Sequence, residues 1–305
     1  MARRVSARRV PLVLLAFLGF ALVTAASARP SAQGDARERT LFVSVIDKAD
    51  NPVEGLGQDD IIVREDGLRR EILRLSRATE PMDVAVIVDN SSASGDVIPR
   101  VREGLKRFVA ALTPQHAVAL VSVADRPTIL VDYTTSPSAL ETGIGRLFTM
   151  SSSGATTLDG ITEVADGLKR REATRAVIVP IVTNGIEYSN RRYVDVLKAL
   201  TSSGAALYPV TVGRFGVGAN DIERDRNRVM SAGPEQTGGR QISLLSSVSV
   251  DTALERLGRQ LASQYKVVYS RPESLIPPEK IVASTARPGL TVSGAPARAA
   301  TGSAR

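Results

Sequence analysis

The segment from residue 80 to residue 271 alternates between short apolar runs and stretches in which apolar residues recur at helical spacing. The clearest runs are "DVAVIV" (83–88), "AVALVSVA" (117–124) and "AVIVPIVT" (176–183). Uninterrupted apolar runs are typical of parallel strands buried on both faces. Their alternation with helices predicts an α/β fold with a doubly wound, mostly parallel, Rossmann-like sheet. In such folds ligands bind beyond the carboxyl ends of the strands.

The chain on either side of this domain has a different pattern. Residues 40–78 alternate apolar and polar side chains and contain the tight-turn pair Asp66-Gly67, which predicts a small β module of three or four strands. Residues 29–39 are small and polar and predict a flexible linker. Residues 272–305 hold prolines around two β-like runs, which predicts a C-terminal β-like extension that ends in a disordered tail.

Residues 1–28 have the pattern of a secretory signal peptide: a basic start, an apolar core and the cleavage motif "ASA". The alternatives are an uncleaved membrane anchor, although the core is shorter than the roughly 20 residues that span a bilayer, and twin-arginine export. We therefore expect a secreted or periplasmic protein with no membrane span after cleavage. The segment carries four arginines and no acid, so its removal lowers the net charge from +7 to +3, which does not support nucleic-acid binding.

The composition leaves little enzymatic chemistry. The chain has no cysteine, which excludes disulfides, thiol nucleophiles and thiolate metal sites. Its single histidine, His116, precedes a strand, where we expect a surface or boundary role, and the sequence has no Gly-x-Ser-x-Gly elbow and no phosphate-binding loop. The mixed-charge run 223–228, inside a polar insertion at 214–238, predicts an exposed helix. We predict a non-enzymatic protein, and an enzyme on a Rossmann-like sheet is the less favoured alternative.

Three loops rich in oxygen-bearing side chains follow strands or precede helices of the predicted sheet. They are "DNSSAS" (89–94), "SSSGATT" (151–157) and "VTNG" (182–185), and the fold places all three on one rim. Oxygen ligands on loops are what a hard cation such as Mg²⁺ prefers. The alternative is that Asp89 and its neighbours only satisfy backbone donors at loop and helix starts.

These loops resemble the metal-ion-dependent adhesion site of the von Willebrand factor type A (VWA) domain. The resemblance implies a Mg²⁺ ion whose coordination is completed by an acidic side chain of a protein partner. Asp89 matches the first aspartate of the site, Ser91 the first serine and Thr156 the threonine. Ala93 replaces the second serine, and Asn184 replaces the last aspartate. One hydroxyl and one negative charge are thus missing, so the resemblance implies magnesium that is bound weakly or not at all.

The order of blocks from Thr40 to Val292 is similar to that of an exported bacterial subgroup of the family, best known from Acidobacteria. The function implied is that of a non-enzymatic, extracytoplasmic protein-interaction or adhesion module with a degenerate metal site. The alternative is a metal-independent scaffold of the same fold that binds through another face.

Overall fold

The structure is a computed structural model, and it describes residues 36–215, 220–272, 276, 278 and 280–297. The predicted signal peptide and the last eight residues of the predicted tail lie outside the described residues. Two parts are distinguished below. The α/β domain comprises strands β5 to β11 and helices α1 to α6, and the β unit comprises β1 to β4 and β12 to β14.

The α/β domain is built on a mostly parallel sheet of seven strands. Six of them run in the order β11-β10-β8-β5-β6-β7, and β9 also pairs with β8. The edge strand β7 is antiparallel to β6. The strands are β5 (Asp83–Val88), β6 (Ala117–Ser122), β7 (Thr128–Thr134), β8 (Ala176–Thr183), β9 (Ala206–Leu207), β10 (Val210–Val212) and β11 (Ile242–Leu244).

Helices cover both faces of this sheet, as a doubly wound fold requires. Helices α1 (Ile98–Leu112), α2 (Pro137–Gly145) and α6 (Val250–Ala262) pack on one face. Helices α3 (Thr157–Arg170), α4 (Tyr193–Ser203) and α5 (Asp221–Thr237) pack on the other. None of the helices in the described part of the chain is both long enough and apolar enough to span a bilayer.

The β unit contains strands from both ends of the chain. One antiparallel sheet has the order β14-β1-β12-β4, and a second has the order β13-β2-β3. Leu41, Val43, Ile61, Val63 and Tyr269 lie in the core between the sheets. The strands are β1 (Ala36–Ile46), β2 (Ile61–Glu65), β3 (Leu68–Arg70), β4 (Ile72–Arg77), β12 (Tyr265–Pro272), β13 (Ile281–Thr285) and β14 (Thr291–Pro296).

This arrangement corrects two boundaries predicted from the sequence. Residues 36–39, assigned to the linker, belong to β1 because β1 pairs with β12 from Ala36 onwards. Strand β12, assigned to the α/β domain, belongs to the β unit instead. It pairs antiparallel with β1 and β4, and its side chains Val267 and Tyr269 are buried in the core of the β unit. The predicted N-terminal module and C-terminal extension are therefore two halves of one unit.

Arg175 joins the β unit to the α/β domain. Its side chain is buried just before β8, and the guanidinium lies over the ring of Phe42 in β1, 4.9 Å from its centre. It donates hydrogen bonds to the carbonyls of Glu80 (2.8 Å) and Leu261 (3.2 Å) and to Oε1 of Gln264 (2.7 Å). Burial lowers the pKa of Arg175 to about 10. One cation thus contacts strands and loops of both parts.

The single histidine lies beside this junction. His116 sits at the start of β6, at the predicted boundary, but its side chain is only 7% exposed. Its Nδ1 accepts a hydrogen bond from the backbone N–H of Met82 (3.2 Å). Of the two roles expected, surface or boundary, His116 has the boundary one, and it is buried there because the imidazole satisfies a backbone donor.

Candidate functional site

Asp89 connects the ends of two neighbouring strands at the carboxyl rim of the sheet. It follows β5 directly and is 2% exposed. Its Oδ1 accepts a hydrogen bond from the backbone N–H of Ser91 (2.9 Å). Its Oδ2 accepts from both the backbone N–H (3.0 Å) and the hydroxyl of Thr183, the last residue of β8. The carboxylate therefore has three donors from its own chain.

Ser91 and Ala93 pack closely against the loop after β8. A Cβ added to Gly185 would lie 2.6 Å from Cβ of Ala93 and 3.4 Å from Oγ of Ser91, so only a glycine fits here without movement. Ser91 is 1% exposed, and its Oγ has no hydrogen-bond partner among the described residues. The methyl group of Ala93 therefore stands in the site where the resemblance expects a second hydroxyl.

Thr156 and Asn184 have different surroundings. Thr156 is buried at the start of α3, where its backbone N–H (2.7 Å) and its hydroxyl (3.1 Å) both donate to the carbonyl of Val123. This is the local backbone role that the sequence left open as an alternative. Asn184 is exposed, and its side chain lies against Gly213 at the end of β10.

This set of donors does not fit a magnesium ion. An ionised carboxylate has about four acceptor positions, and three of those on Asp89 are taken. Of the buried residues Asp89, Ser91 and Thr156, only Ser91 has a side-chain oxygen with no hydrogen-bond partner among the described residues, whereas magnesium demands near-octahedral oxygen coordination. Within the described residues, no group of three or more histidine, aspartate or glutamate side chains is placed to hold a metal ion.

Glu187 is a buried acid of the same rim that the sequence analysis missed. It follows β8 on the loop that contains Gly185, and its side chain is fully buried. Its Oε1 accepts hydrogen bonds from the backbone N–H of Leu158, in the first turn of α3 (3.2 Å), and from the hydroxyl of Ser189. Burial raises the pKa of Glu187. The "NGIEYS" segment gave no sign of this, because an acid on a loop is usually exposed.

Arg226 is the second missed residue, and it corrects the prediction of an exposed helix at 223–228. In α5, Asp225 and Arg226 are 6% and 3% exposed. The reason is helical spacing: Arg226 lies three and four residues before the buried Val229 and Met230, on the face of α5 that packs on the domain. The spacing of these two apolar residues was the available signal.

The guanidinium of Arg226 contacts the loop after β8. Its Nη1 donates to the carbonyl of Gly185 (2.6 Å) and lies 3.8 Å from Oε2 of Glu187. The ring of Phe215 covers the group, with its centre 5.2 Å from the central carbon of the guanidinium. Burial lowers the pKa of Arg226, and the charges of Glu187 and then Asp89 oppose this shift.

Large apolar side chains are exposed on the loops around these buried charges. The backbone carbonyl of Asn90 accepts a hydrogen bond from the amide of Met150 (2.8 Å), and the side-chain amide of Asn90 donates one to the carbonyl of Phe148 (3.1 Å). The ring of Tyr188 packs on Gly154. The exposed apolar residues on these loops are Phe148, Met150, Ile186 and Tyr188, and they are named the rim patch below. Their side chains are 38% to 62% exposed, so they present an apolar surface to the solvent.

The profile of the von Willebrand factor type A domain matches residues 83–238, about half of the chain. No curated protein matches this chain in sequence.

Three solved structures are among those similar to this chain. The first is proximal thread matrix protein 1 from the mussel byssus, with a zinc-occupied MIDAS motif (14% identity, 65% of this chain and 49% of that chain covered, TM-score 0.47). The second is the vWF domain of the type V pili tip protein Mfa5 from Porphyromonas gingivalis (12%, 60% and 96%, 0.46). The third is a von Willebrand factor type A protein from Catenulispora acidiphila (11%, 86% and 74%, 0.47). The chain spans about half the length of the mussel protein.

Proposed function

Because the chain belongs to the von Willebrand factor type A domain family, we propose that it is a non-enzymatic protein-interaction module that binds a protein partner through the rim of its parallel sheet. The observation that carries this proposal is the rim patch, four large apolar side chains exposed on neighbouring loops. Exposed apolar clusters on soluble domains mark interaction surfaces more often than isolated apolar residues do. The predicted signal peptide supports a location outside the cytoplasm, secreted or periplasmic.

The position of the titratable groups supports a non-enzymatic role. His116 is the only histidine, and it is buried at the start of β6, at the end of the sheet opposite the rim. It cannot act as a base for Ser91, whose loop follows the carboxyl end of β5. The carboxylate of Asp89 is engaged by backbone and hydroxyl donors, which leaves it poorly placed for proton transfer.

Two modes of partner binding are open at this rim. In the first, an acidic side chain of the partner completes a weakly held magnesium on Asp89, Ser91 and Thr156, with Asn184 acting through a water molecule. In the second, the partner contacts the rim patch without a metal. The geometry favours the second, because the magnesium donors are incomplete while the apolar side chains are exposed. The assignment of these four residues to a metal site rests on the resemblance to the VWA domain alone.

A capture experiment with matched variants tests the proposal. The protein without residues 1–28 is immobilised and exposed to the envelope fraction of its source cells, with and without chelator. We expect the double variant Ile186→Ala/Tyr188→Ala to lose the captured protein, because both side chains are more than half exposed on the rim. Leu68→Ala, a similarly exposed apolar residue of the β unit, is the control and should retain it. Equal capture by both variants would contradict rim binding.

A second binding face is favoured by one observation. A cavity of about 540 Å³ lies beside α3 on the sheet, and it is lined by small and apolar residues together with several charged ones. This groove suits the alternative of a metal-independent scaffold that uses another face. Arg170→Glu, a change at an exposed residue of the lining, would abolish capture in that case and leave it unchanged in rim binding. The small and apolar residues of the lining include Ala85, Ala119, Val121, Gly160 and Val164.

A further inference from the structure

We propose that Arg226 is a built-in cation of the rim, and that its guanidinium supplies from within the chain the positive charge that a metal would bring to this site. The rim loops are then held in place without a metal. This inference concerns how the rim is organised, so it stands or falls separately from the identity of any partner.

The geometry places Arg226 where it can join the loops of the site. Its Nη1 bonds to the carbonyl of Gly185, and Gly185 in turn lies against Ser91 and Ala93 of the first loop. The same nitrogen lies 3.8 Å from Oε2 of Glu187, whose other oxygen holds the first turn of α3. One side chain from α5 thus links the loops after β5 and β8 with the start of α3.

The charges explain why a cation is needed there. Asp89 and Glu187 are each 2% exposed, and buried carboxylates are costly unless an opposite charge or hydrogen bonds compensate them. Oε2 of Glu187 has no hydrogen-bond partner among the described residues, so the nearby guanidinium is its compensation.

The same charge works against a metal ion. A divalent cation at Asp89 would feel the repulsion of a guanidinium that is itself shielded from water, where screening is weak. An arginine is always protonated in proteins, so it cannot relieve this repulsion by losing a proton. Because a site with its own cation does not need a metal, it can tolerate the loss of the two oxygen ligands at Ala93 and Asn184.

The test compares variants of Arg226 with a control on the same helix, by thermal unfolding with and without about 5 mM Mg²⁺ or Mn²⁺. We expect no metal-induced change in the Tm of the unmodified protein. Arg226→Met should lower Tm by about 10 °C, because it leaves the buried carboxylate of Glu187 without its compensating charge. Arg228→Met, an exposed arginine stacked on Tyr193, should shift Tm by less than about 4 °C.

A restored metal site gives the second and more specific readout. Ala93→Ser/Asn184→Asp should gain no metal response while Arg226 is present, and adding Arg226→Met to that pair should create one. If Arg226→Met does not fold alone, Glu187→Gln/Arg226→Met removes both charges, and recovery of folding supports the proposal. The proposal is overturned if metal raises the Tm of the unmodified protein, if Ala93→Ser/Asn184→Asp binds metal with Arg226 in place, or if the double charge removal restores nothing.

Discussion

Lowering the pH from about 7.5 to about 5 should destabilise the folded protein through its single histidine. The imidazole of His116 is buried, and its Nδ1 must be unprotonated to accept the hydrogen bond from Met82. Burial, followed by the charge of Arg175, lowers the pKa of His116 from 6.5 to about 4, and a hydrogen bond with the backbone of Gln115 opposes this shift.

The sign and size of the effect follow from proton linkage. Between pH 6.5 and about 4 the unfolded chain holds a proton on His116 that the folded chain does not, so the free energy of unfolding falls as the pH falls. This stabilisation is fully present above pH 6.5 and absent below about pH 4. At pH 5 the expected loss relative to pH 7.5 is about 2 kcal/mol.

Urea unfolding of the unmodified protein and of His116→Asn at the two pH values measures this contribution. The Oδ1 of asparagine can accept the hydrogen bond from Met82 but does not titrate, so carboxylates contribute equally to both proteins and cancel in the comparison. We expect the unmodified protein to lose about 2 kcal/mol more than the variant on acidification. Equal losses in the two proteins, within about 0.5 kcal/mol, would refute the assignment of a depressed pKa to His116.

Two further predictions concern the joint between the parts. Arg175→Met should lower the free energy of unfolding by about 3 kcal/mol or more, measured by urea unfolding, because it leaves buried carbonyls without donors; a change below about 1 kcal/mol would contradict this role. Gly238→Ala should cost more than about 2 kcal/mol, since its φ is +76° and its Cβ would lie 1.8 Å from the carbonyl oxygen of Gly294. Gly67→Ala, with a φ of +83° and open space around it, is the control and should cost only about 1 kcal/mol.

The central sheet was predictable because its signal is local. Each of the runs 83–88, 117–124 and 176–183 contains a strand, and the order of strands and helices places their carboxyl ends on one rim. Proline at the start of α2 was also predictable, because its fixed φ suits the first turn of a helix. The resemblance of the rim loops to the VWA domain is confirmed by the family profile that matches residues 83–238, and the narrower resemblance to the exported subgroup stays a prediction.

The errors arose where distant residues decide the structure. Strand β12 has a pattern that fits either sheet, and only its pairing with β1, more than 200 residues earlier, settles the matter. Arg226 and Glu187 look like surface charges in sequence, because nothing local shows that each is the other's partner in the interior. The donors that occupy Asp89 come from the end of β8, so the crowding of that carboxylate was equally invisible.

The two-ended construction of the β unit sets an order of events during synthesis. Strands β1 and β4 leave the ribosome early, whereas their partners β12 and β14 follow only after residue 264. All strands and helices of the α/β domain precede β12 in the sequence, so this domain can fold while the edges of β1 and β4 are still unpaired. The amide of Ala297 finally bonds to the carbonyl of Thr40 and brings the two ends of the unit side by side. The C-terminal strands of the β unit therefore close a sheet that its N-terminal strands began.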